Sequence, residues 1–358
     1  MPVGRRPDST PAPRGRGATI NPPSRFATRQ AEACDDGWHQ EPLPPLRTRV
    51  EPDASRSVIS WNDSPDIPFD RSVNPYRGCE HGCVYCYARP GHAWLGLSPG
   101  LDFETRLFAK DDVAGLLRAE LAAPGYRCAP IALGAVTDVY QPVERARGLT
   151  RAALELLRAL RHPVTVVTKS ALIERDLDLL AELARDGLVH AQLSVTTLRP
   201  DLARRLEPRA ASPQRRLDTI ARLSAAGIPV GVLVAPVIPV LTDAELEAIL
   251  AAARDAGATA AGYTLLRLPL EVADLFRGWL EAHVPGQAAH VMARVRDARD
   301  GRDNDAAFGR RMVGTGVFAG LIAQRFALAT RRLGYAELPP LRTDLFRKPA
   351  RGGQLSLF

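Results

Sequence analysis

Three cysteines lie within eight residues, in the segment Asn74-Pro-Tyr-Arg-Gly-Cys-Glu-His-Gly-Cys-Val-Tyr-Cys-Tyr-Ala-Arg89. Thiolates bind iron–sulfur clusters or zinc. The whole chain has only 5 cysteines in 358 residues, too few for a disulfide scaffold. A [4Fe–4S] cluster held by three thiolates leaves one iron without a protein ligand, and that iron can bind a small molecule. The Cys-x3-Cys-x2-Cys spacing therefore indicates an open, catalytic cluster on Cys79, Cys83 and Cys86.

A structural zinc site is the alternative for this segment. Tetrahedral zinc needs a fourth ligand, and His81 lies between the first two cysteines. A Cys3His site would make the protein a non-catalytic, zinc-stabilised adaptor whose tails bind DNA and the sliding clamp. Iron and sulfide in anaerobically purified protein would support the cluster, whereas a colourless zinc protein would support the adaptor.

Short apolar runs alternate with helical patterns between residues 72 and 267. The runs predict strands at 72–74, 131–137, 164–168, 191–196, 230–237 and 262–267. Apolar residues spaced three and four apart predict helices at 112–121, 151–160, 172–186, 213–226 and 243–256. This alternation predicts a parallel α/β sheet covered by helices, either as a partial barrel or as an open doubly wound sheet. In both arrangements the functional groups belong at the carboxyl ends of the strands.

The two ends of the chain differ from its middle in composition. They are rich in Arg, Pro and Gly and carry most of the net charge of +7. We expect a disordered or draped basic arm at 1–57 and a flexible tail at 333–358, either of which could touch nucleic acid. The α/β body then covers 58–270, and a helical extension covers 271–332. No apolar run approaches the roughly 20 residues of a membrane helix, so we expect a cytoplasmic protein with no membrane partner.

The cysteine spacing, with an aromatic residue before the last cysteine, resembles the signature of the radical S-adenosylmethionine (SAM) superfamily. The resemblance covers about residues 58–270 and implies a partial (β/α)6 barrel. The form Cys-x-His-x-Cys-x-Tyr-Cys-Tyr is similar to the branch that contains spore photoproduct lyase, which implies DNA repair or nucleic-acid modification. It also implies that the three cysteines bind a [4Fe–4S] cluster and that SAM binds the fourth iron. One electron from a donor of flavodoxin or ferredoxin type would cleave SAM to a 5′-deoxyadenosyl radical, which abstracts hydrogen from the substrate.

The resemblance also implies which residues contact SAM. Tyr85 resembles the aromatic that packs on the adenine, and Asp138 lies where the family holds the SAM amino group. Ser194 and Thr196 lie where a hydroxyl often binds the ribose, and Arg209 is a candidate for the SAM carboxylate. Each residue also has a structural alternative: a loop aromatic, an Asp cap, strand-end hydrogen bonds or an exposed helical Arg. Two further basic candidates are Arg216 and Lys169.

The residue that would return hydrogen to a product is less clearly marked. Spore photoproduct lyase uses a cysteine near SAM for this step. Here Cys34 lies in the basic arm, and Cys128 precedes the second predicted strand, so it belongs at the amino end of the barrel. We expect Cys128 to be inert and name Tyr140 as the candidate hydrogen donor.

The last five residues, Gln354-Leu-Ser-Leu-Phe358, resemble the short peptide by which bacterial polymerases and repair proteins dock on the sliding clamp. An extended peptide with apolar anchors behind a Gly-rich linker suits a hydrophobic groove. The alternative is a tail that folds back onto its own barrel. Clamp binding would place the protein on DNA.

Overall fold

A computed structural model describes residues 15–28 and 46–350. Its main sheet has seven strands: β2 (Ile59–Trp61), β3 (Arg71–Val73), β6 (Ile131–Leu133), β7 (Val164–Thr168), β8 (Val189–Ser194), β9 (Val230–Val237) and β10 (Ala260–Leu265). Their order is β10-β9-β8-β7-β6-β3-β2, and all neighbours are parallel except β2 and β3. The six parallel strands correspond to the six predicted ones. The prediction of a partial (β/α)6 barrel is confirmed.

Amphipathic helices cover the outer face of this sheet because their apolar stripes pack on buried strand residues. They are α2 (Val113–Leu121), α4 (Leu149–Ala159), α5 (Leu177–Arg185), α7 (Pro213–Ala225) and α8 (Leu246–Asp255). Ser212 caps α7 by accepting a hydrogen bond from the backbone of Arg215 at 3.3 Å. After β10 the chain is helical, with α9 (Val272–His283), α10 (Pro285–Asp297) and α11 (Gly316–Arg332). Short helices α1 (Asp102–Thr105), α3 (Glu144–Arg147) and α6 (Pro200–Leu206) lie in the connections.

A second, smaller sheet holds the cysteine segment. It contains β1 (Arg49–Pro52), β4 (Tyr76–Arg77) and β5 (Arg106–Ala109), in the order β1-β5-β4. The cysteine loop leaves β4 and continues into a 3-10 helix at Arg89–Leu95, and α1 and β5 bring the chain back beside it. Both ends of the loop are therefore anchored in regular structure.

The described parts of both tails pack on the body of the protein, although their composition is typical of disordered segments. Residues 15–28 pack against the cysteine loop, and Ala18 is fully buried there. The tail from 333 to 350 is irregular, but it crosses the amino ends of the strands instead of being flexible. Its backbone donates from Ala336 to Thr259, from Arg342 to Gly187 and from Arg347 to Leu160, at 2.8–3.0 Å. The clamp-like peptide and Cys34 lie outside the described residues. In the described part of the chain, every helix is too short or too polar to cross a membrane.

Candidate active site

The carboxyl ends of the parallel strands surround a cavity of about 620 Å³. Its walls are largely apolar and include residues of β9 and β10 and of the segment after β2. The residues singled out in the sequence that line it are Cys79, His81, Cys83, Tyr85, Cys86, Asp138, Lys169 and Ser194. This is the end of the barrel at which the sequence places the functional groups.

The cysteine loop is built to present three thiols to this cavity. Cys79 and Cys83 are buried and Cys86 is half-buried, and all three are free. The backbone of Cys79 donates to Phe103 at 2.9 Å, and that of Val84 donates to Leu206 at 3.1 Å, which fixes the loop from two sides. Gly82 has a φ of 68°, which lets the loop turn between the first two cysteines.

The thiols fit a positively charged iron–sulfur centre. Burial raises the pKa of Cys79 well above its usual value, and the nearby Asp138 carboxylate raises it further. Burial and the Glu207 carboxylate raise the pKa of Cys83 to about 12. A thiolate is therefore costly in this loop unless a bound cation compensates its charge. Three such donors on one cavity are the ligand set of an open [4Fe–4S] cluster.

His81 does not complete a zinc site. Its Nδ1 lies 3.2 Å from Oδ2 of Asp138, and the ring is almost fully buried. Among residues 15–28 and 46–350, no group of three or more His, Cys, Asp or Glu side chains is placed to hold a single metal ion. A cubane takes its three thiolates on three different irons, whereas zinc needs four donors on one ion.

Asp138 is occupied by the protein itself. Its carboxylate accepts from the Thr168 hydroxyl at 2.7 Å, from the backbone of Lys169 at 2.7 Å and from the backbone of Tyr140 at 2.9 Å, in addition to facing His81. Burial alone would raise the pKa of Asp138, but His81 and these hydrogen bonds lower it to about 2. Both oxygens hold the cysteine loop to β7, and the expected contact of Asp138 with the SAM amino group stays a prediction.

A buried polar cluster lies behind Tyr85. The Tyr85 hydroxyl donates to Glu207, which also pairs with Arg216 and accepts from the Thr196 hydroxyl at 2.7 Å. Burial alone would raise the pKa of Glu207, but Arg216 and Lys169 help to lower it to about 2. Thr196 and Arg216 are thus held by Glu207 and do not line the cavity, and their expected contacts with SAM stay predictions.

Ser194 and Tyr85 both line the cavity, and their expected contacts with SAM stay predictions. The Ser194 hydroxyl donates to the backbone of Ala235 at 2.8 Å and can still accept a hydrogen bond from a ligand. The Tyr85 ring faces the cavity, and Nζ of Lys169 lies 5.9 Å from its centroid. An aromatic face, a hydroxyl and an ammonium therefore share one wall.

Arg209 and Tyr140 are not among the residues that line the cavity, and the roles expected of them stay predictions. Arg209 lies in the turn after α6, where its side chain pairs with Glu80 at 3.2 Å and its backbone donates to His81 at 3.3 Å. Tyr140 is fully buried with Arg175 over its ring, since β6 ends at Leu133 and the chain turns toward the helices.

Cys128 precedes β6 at the amino end of the barrel, which is where the sequence placed it. It is half-buried, and burial raises the pKa of its thiol to about 11. It does not contribute to the lining of the cavity.

Sequence reasoning missed the side wall of the cavity. Arg267 follows β10, Tyr87 follows the last cysteine, and the Tyr87 hydroxyl donates to the backbone of Ala135. Across the gap between the edge strands, Arg311 forms a two-bond ion pair with Asp66, at 2.5 and 2.7 Å. Two of these residues could have been found from the sequence, because Tyr87 belongs to the cysteine motif and Arg267 ends the sixth predicted strand. The Arg311 pair could not, because it joins segments far apart in sequence.

The family model of the radical SAM superfamily matches residues 73–253, which spans the cysteine loop and most of the barrel. This chain belongs to the radical SAM superfamily. It is accordingly an enzyme that uses a [4Fe–4S] cluster and SAM and that needs a reductant. An uncharacterized protein of Mycobacterium tuberculosis is 39% identical over 233 residues, which cover 64% of this chain and 67% of that protein.

Two other similar proteins have named activities. The radical SAM Nalpha-GlyT isomerase of Pseudomonas phage M6 is 26% identical over 206 residues, which cover 57% of this chain and 38% of the isomerase. A solved spore photoproduct lyase complexed with dinucleoside spore photoproduct is 13% identical, with a TM-score of 0.58 and 80% of each chain covered. The lyase shares the fold of this radical SAM enzyme.

Proposed function

We propose that this radical SAM enzyme abstracts hydrogen from a nucleotide within nucleic acid, in base modification or lesion repair. Cys79, Cys83 and Cys86 are the proposed cluster ligands. The observation that carries the proposal is that all three thiols, two of them buried with raised pKa values, line the one cavity at the carboxyl ends of the barrel strands. When bound, the cluster and SAM supply a 5′-deoxyadenosyl radical upon arrival of one electron.

Three groups that line the same cavity as the thiols would orient SAM. The Tyr85 ring is held in place by its hydroxyl and can pack on the adenine. The Ser194 hydroxyl can accept from the ribose, and the Lys169 ammonium can bind the carboxylate in place of Arg209. Lys169 lines the cavity and forms no ion pair among the described side chains, although its charge also helps to lower the pKa of Glu207.

The substrate class is proposed from the cavity and from the similar proteins. The lyase of the same fold was solved with a dinucleoside photoproduct, and the phage relative is named for an isomerisation of Nalpha-GlyT. The exposed rings of Trp61 and Tyr87 line the cavity, Tyr87 beside Arg267 and Trp61 beside Arg71, and rings of this kind stack on bases. A largely apolar cavity also shields a radical from solvent.

The test is the formation of 5′-deoxyadenosine by anaerobically reconstituted protein with SAM and dithionite. We expect slow formation without substrate and a clear increase when single-stranded or damaged DNA is added, accompanied by a modified nucleotide in digests of that DNA. An increase with peptides or small molecules but with no nucleic acid would contradict the nucleic-acid substrate. It would leave the radical SAM chemistry in place.

A further inference from the structure

We propose that Arg267 and Tyr87 form an anion site at the side of the cavity, which binds a phosphodiester of a nucleic-acid strand. This inference rests on the proposed function and specifies how the substrate is held. None of the roles discussed for the cluster or for SAM uses these two residues.

Arg267 is placed to meet a ligand at the cavity mouth. It follows β10, the last parallel strand, and its guanidinium lies 5.4 Å from the centroid of the Tyr87 ring. Tyr87 is held by its hydroxyl, which donates to the backbone of Ala135, yet half of its surface is exposed. One Arg267 nitrogen lies 3.5 Å from the sulfur of Met312, which is a weak acceptor.

The guanidinium forms no ion pair with the residues that the structure describes, and the nearest carboxylate that acts on it is that of Asp66. The Nε of Arg267 is buried without a hydrogen-bond partner among these residues. The nearby carboxylate of Asp66 is engaged by Arg311 through two hydrogen bonds and also accepts from the backbone of Gly309 at 3.4 Å. Burial lowers the pKa of Arg267, and Arg311 lowers it further.

An unpaired, partly desolvated cation reduces stability unless an anion joins it. A ligand anion would supply the missing partner, and a guanidinium binds phosphate through paired N–H donors. The Arg267 charge therefore contributes to the binding of an anionic ligand and does not stabilise the free protein.

The surroundings favour a phosphodiester over an isolated carboxylate. Trp61 is 60% exposed, Tyr87 is 50% exposed and Val136 is 48% exposed, and all three line the cavity. Exposed aromatic faces beside a guanidinium are the usual platform for bases of a single strand, whose phosphate then meets the cation. A peptide carboxylate would pair with the Arg267 charge but would not stack on the exposed aromatic rings.

The experiment measures the binding of a labelled single-stranded oligonucleotide by fluorescence anisotropy, at several salt concentrations, with cluster-loaded protein and SAM present. Arg267→Met removes the charge and keeps an apolar stem. We expect it to weaken binding about tenfold and to reduce the salt slope by about one. Arg267→Lys keeps the charge and should retain most of the binding. Arg294→Met, on the exposed face of α10 beside Asp297, is the matched control and should bind like the wild type.

Several outcomes would overturn the inference. Equal binding of the oligonucleotide by Arg267→Met and the wild type would overturn it. If DNA still stimulates 5′-deoxyadenosine formation in that case, the proposed function stands without this anion site. An equal fall in SAM affinity would assign Arg267 to SAM. Arg267-dependent binding of an acidic peptide, with none of the oligonucleotide, would assign the site to carboxylates. Should Arg267→Met melt at a lower temperature than the wild type, Arg267→Gln serves as the second variant, with the same expected loss.

Discussion

The residues around the cysteines divide into those that face the cavity and those that hold the loop in place. Asp138 belongs to the second group although it borders the cavity, because its two oxygens already receive three hydrogen bonds and face His81. The same separation places Glu207 behind Tyr85. A buried carboxylate with this many partners fixes the geometry of the loop around it.

Replacing Asp138 by Asn tests this role. An amide has only one acceptor oxygen, so at least one buried donor from His81 or Lys169 loses its partner. We expect a loss of about 1–3 kcal/mol in the free energy of unfolding of the cluster-free protein, measured by urea titration. Asp178→Asn is the control, because its pair with Arg151 is exposed and should be worth less than about 1 kcal/mol. Unchanged stability together with weaker SAM binding would restore Asp138 to the SAM site.

The sequence was most informative where residue type and spacing alone carry the chemistry, as at the three cysteines. It was misleading where a role depends on which partner a side chain meets. The segment after β6 shows why: the strand ends at Leu133, Gly134 adopts a φ of 91°, and Tyr140 turns into the core. Arg209 likewise meets Glu80 outside the loop. The residues that Tyr140 and Arg209 meet, Arg175 and Glu80, are both distant from them in sequence.

At the scale of elements, the segment 15–28 braces the cysteine loop. Glu104 is fully buried, pairs with Arg89 at 2.5 Å and accepts from the backbones of Gly17 and Ala18 at 2.9 Å. A side-chain carbon on Gly17 would lie 1.7 Å from the backbone oxygen of Gly82. The arm therefore touches the loop backbone directly and limits how far the loop can move.

Gly17→Ala should disturb this contact, since the obstructing atom belongs to the backbone and cannot rotate away. We expect a loss of about 1–3 kcal/mol in the free energy of unfolding and a faster decay of cluster absorbance in air. Gly91→Ala is the matched control, because an added carbon there meets nothing within 4 Å. Cluster decay at the wild-type rate in Gly17→Ala would show that the arm does not protect the loop.

Element prediction succeeded for the parallel strands because they are buried and nearly continuously apolar. It missed the small sheet of β1, β4 and β5, whose strands have two to four residues and partly exposed faces. Such strands have no periodic signal and form only because the cysteine loop and the arm bring them together. The packed tail at 333–350 was missed for a similar reason, since its hydrogen bonds are to distant strand and helix ends.

At the scale of the molecule, the two ends of the barrel differ: one is covered by the tail and the other holds the cavity. The tail covers the amino ends of the strands as far as Lys348, whose ammonium donates to the backbone of Pro124 at 2.9 Å. The cavity lies at the carboxyl ends.

Clamp binding by Gln354-Leu-Ser-Leu-Phe358 remains a prediction at this scale. We expect a dissociation constant on the order of micromolar, because a short peptide buries little area and loses entropy on ordering. The measurement is a calorimetric titration of the purified sliding clamp with the full chain and with a chain ending at Gly353. Only the full chain should bind. Equal binding by both, or by neither, would contradict the clamp hypothesis.

The central claim is that Cys79, Cys83 and Cys86 hold the cluster at which SAM is cleaved. The most direct measurement is iron and sulfide content together with 5′-deoxyadenosine formation in the three single Cys→Ala variants, each reconstituted anaerobically beside Cys128→Ala. The account predicts that each of the three loses the [4Fe–4S] cluster and SAM cleavage, while Cys128→Ala keeps both. Full iron loading and SAM cleavage in any of the three, or their loss in Cys128→Ala, would contradict it.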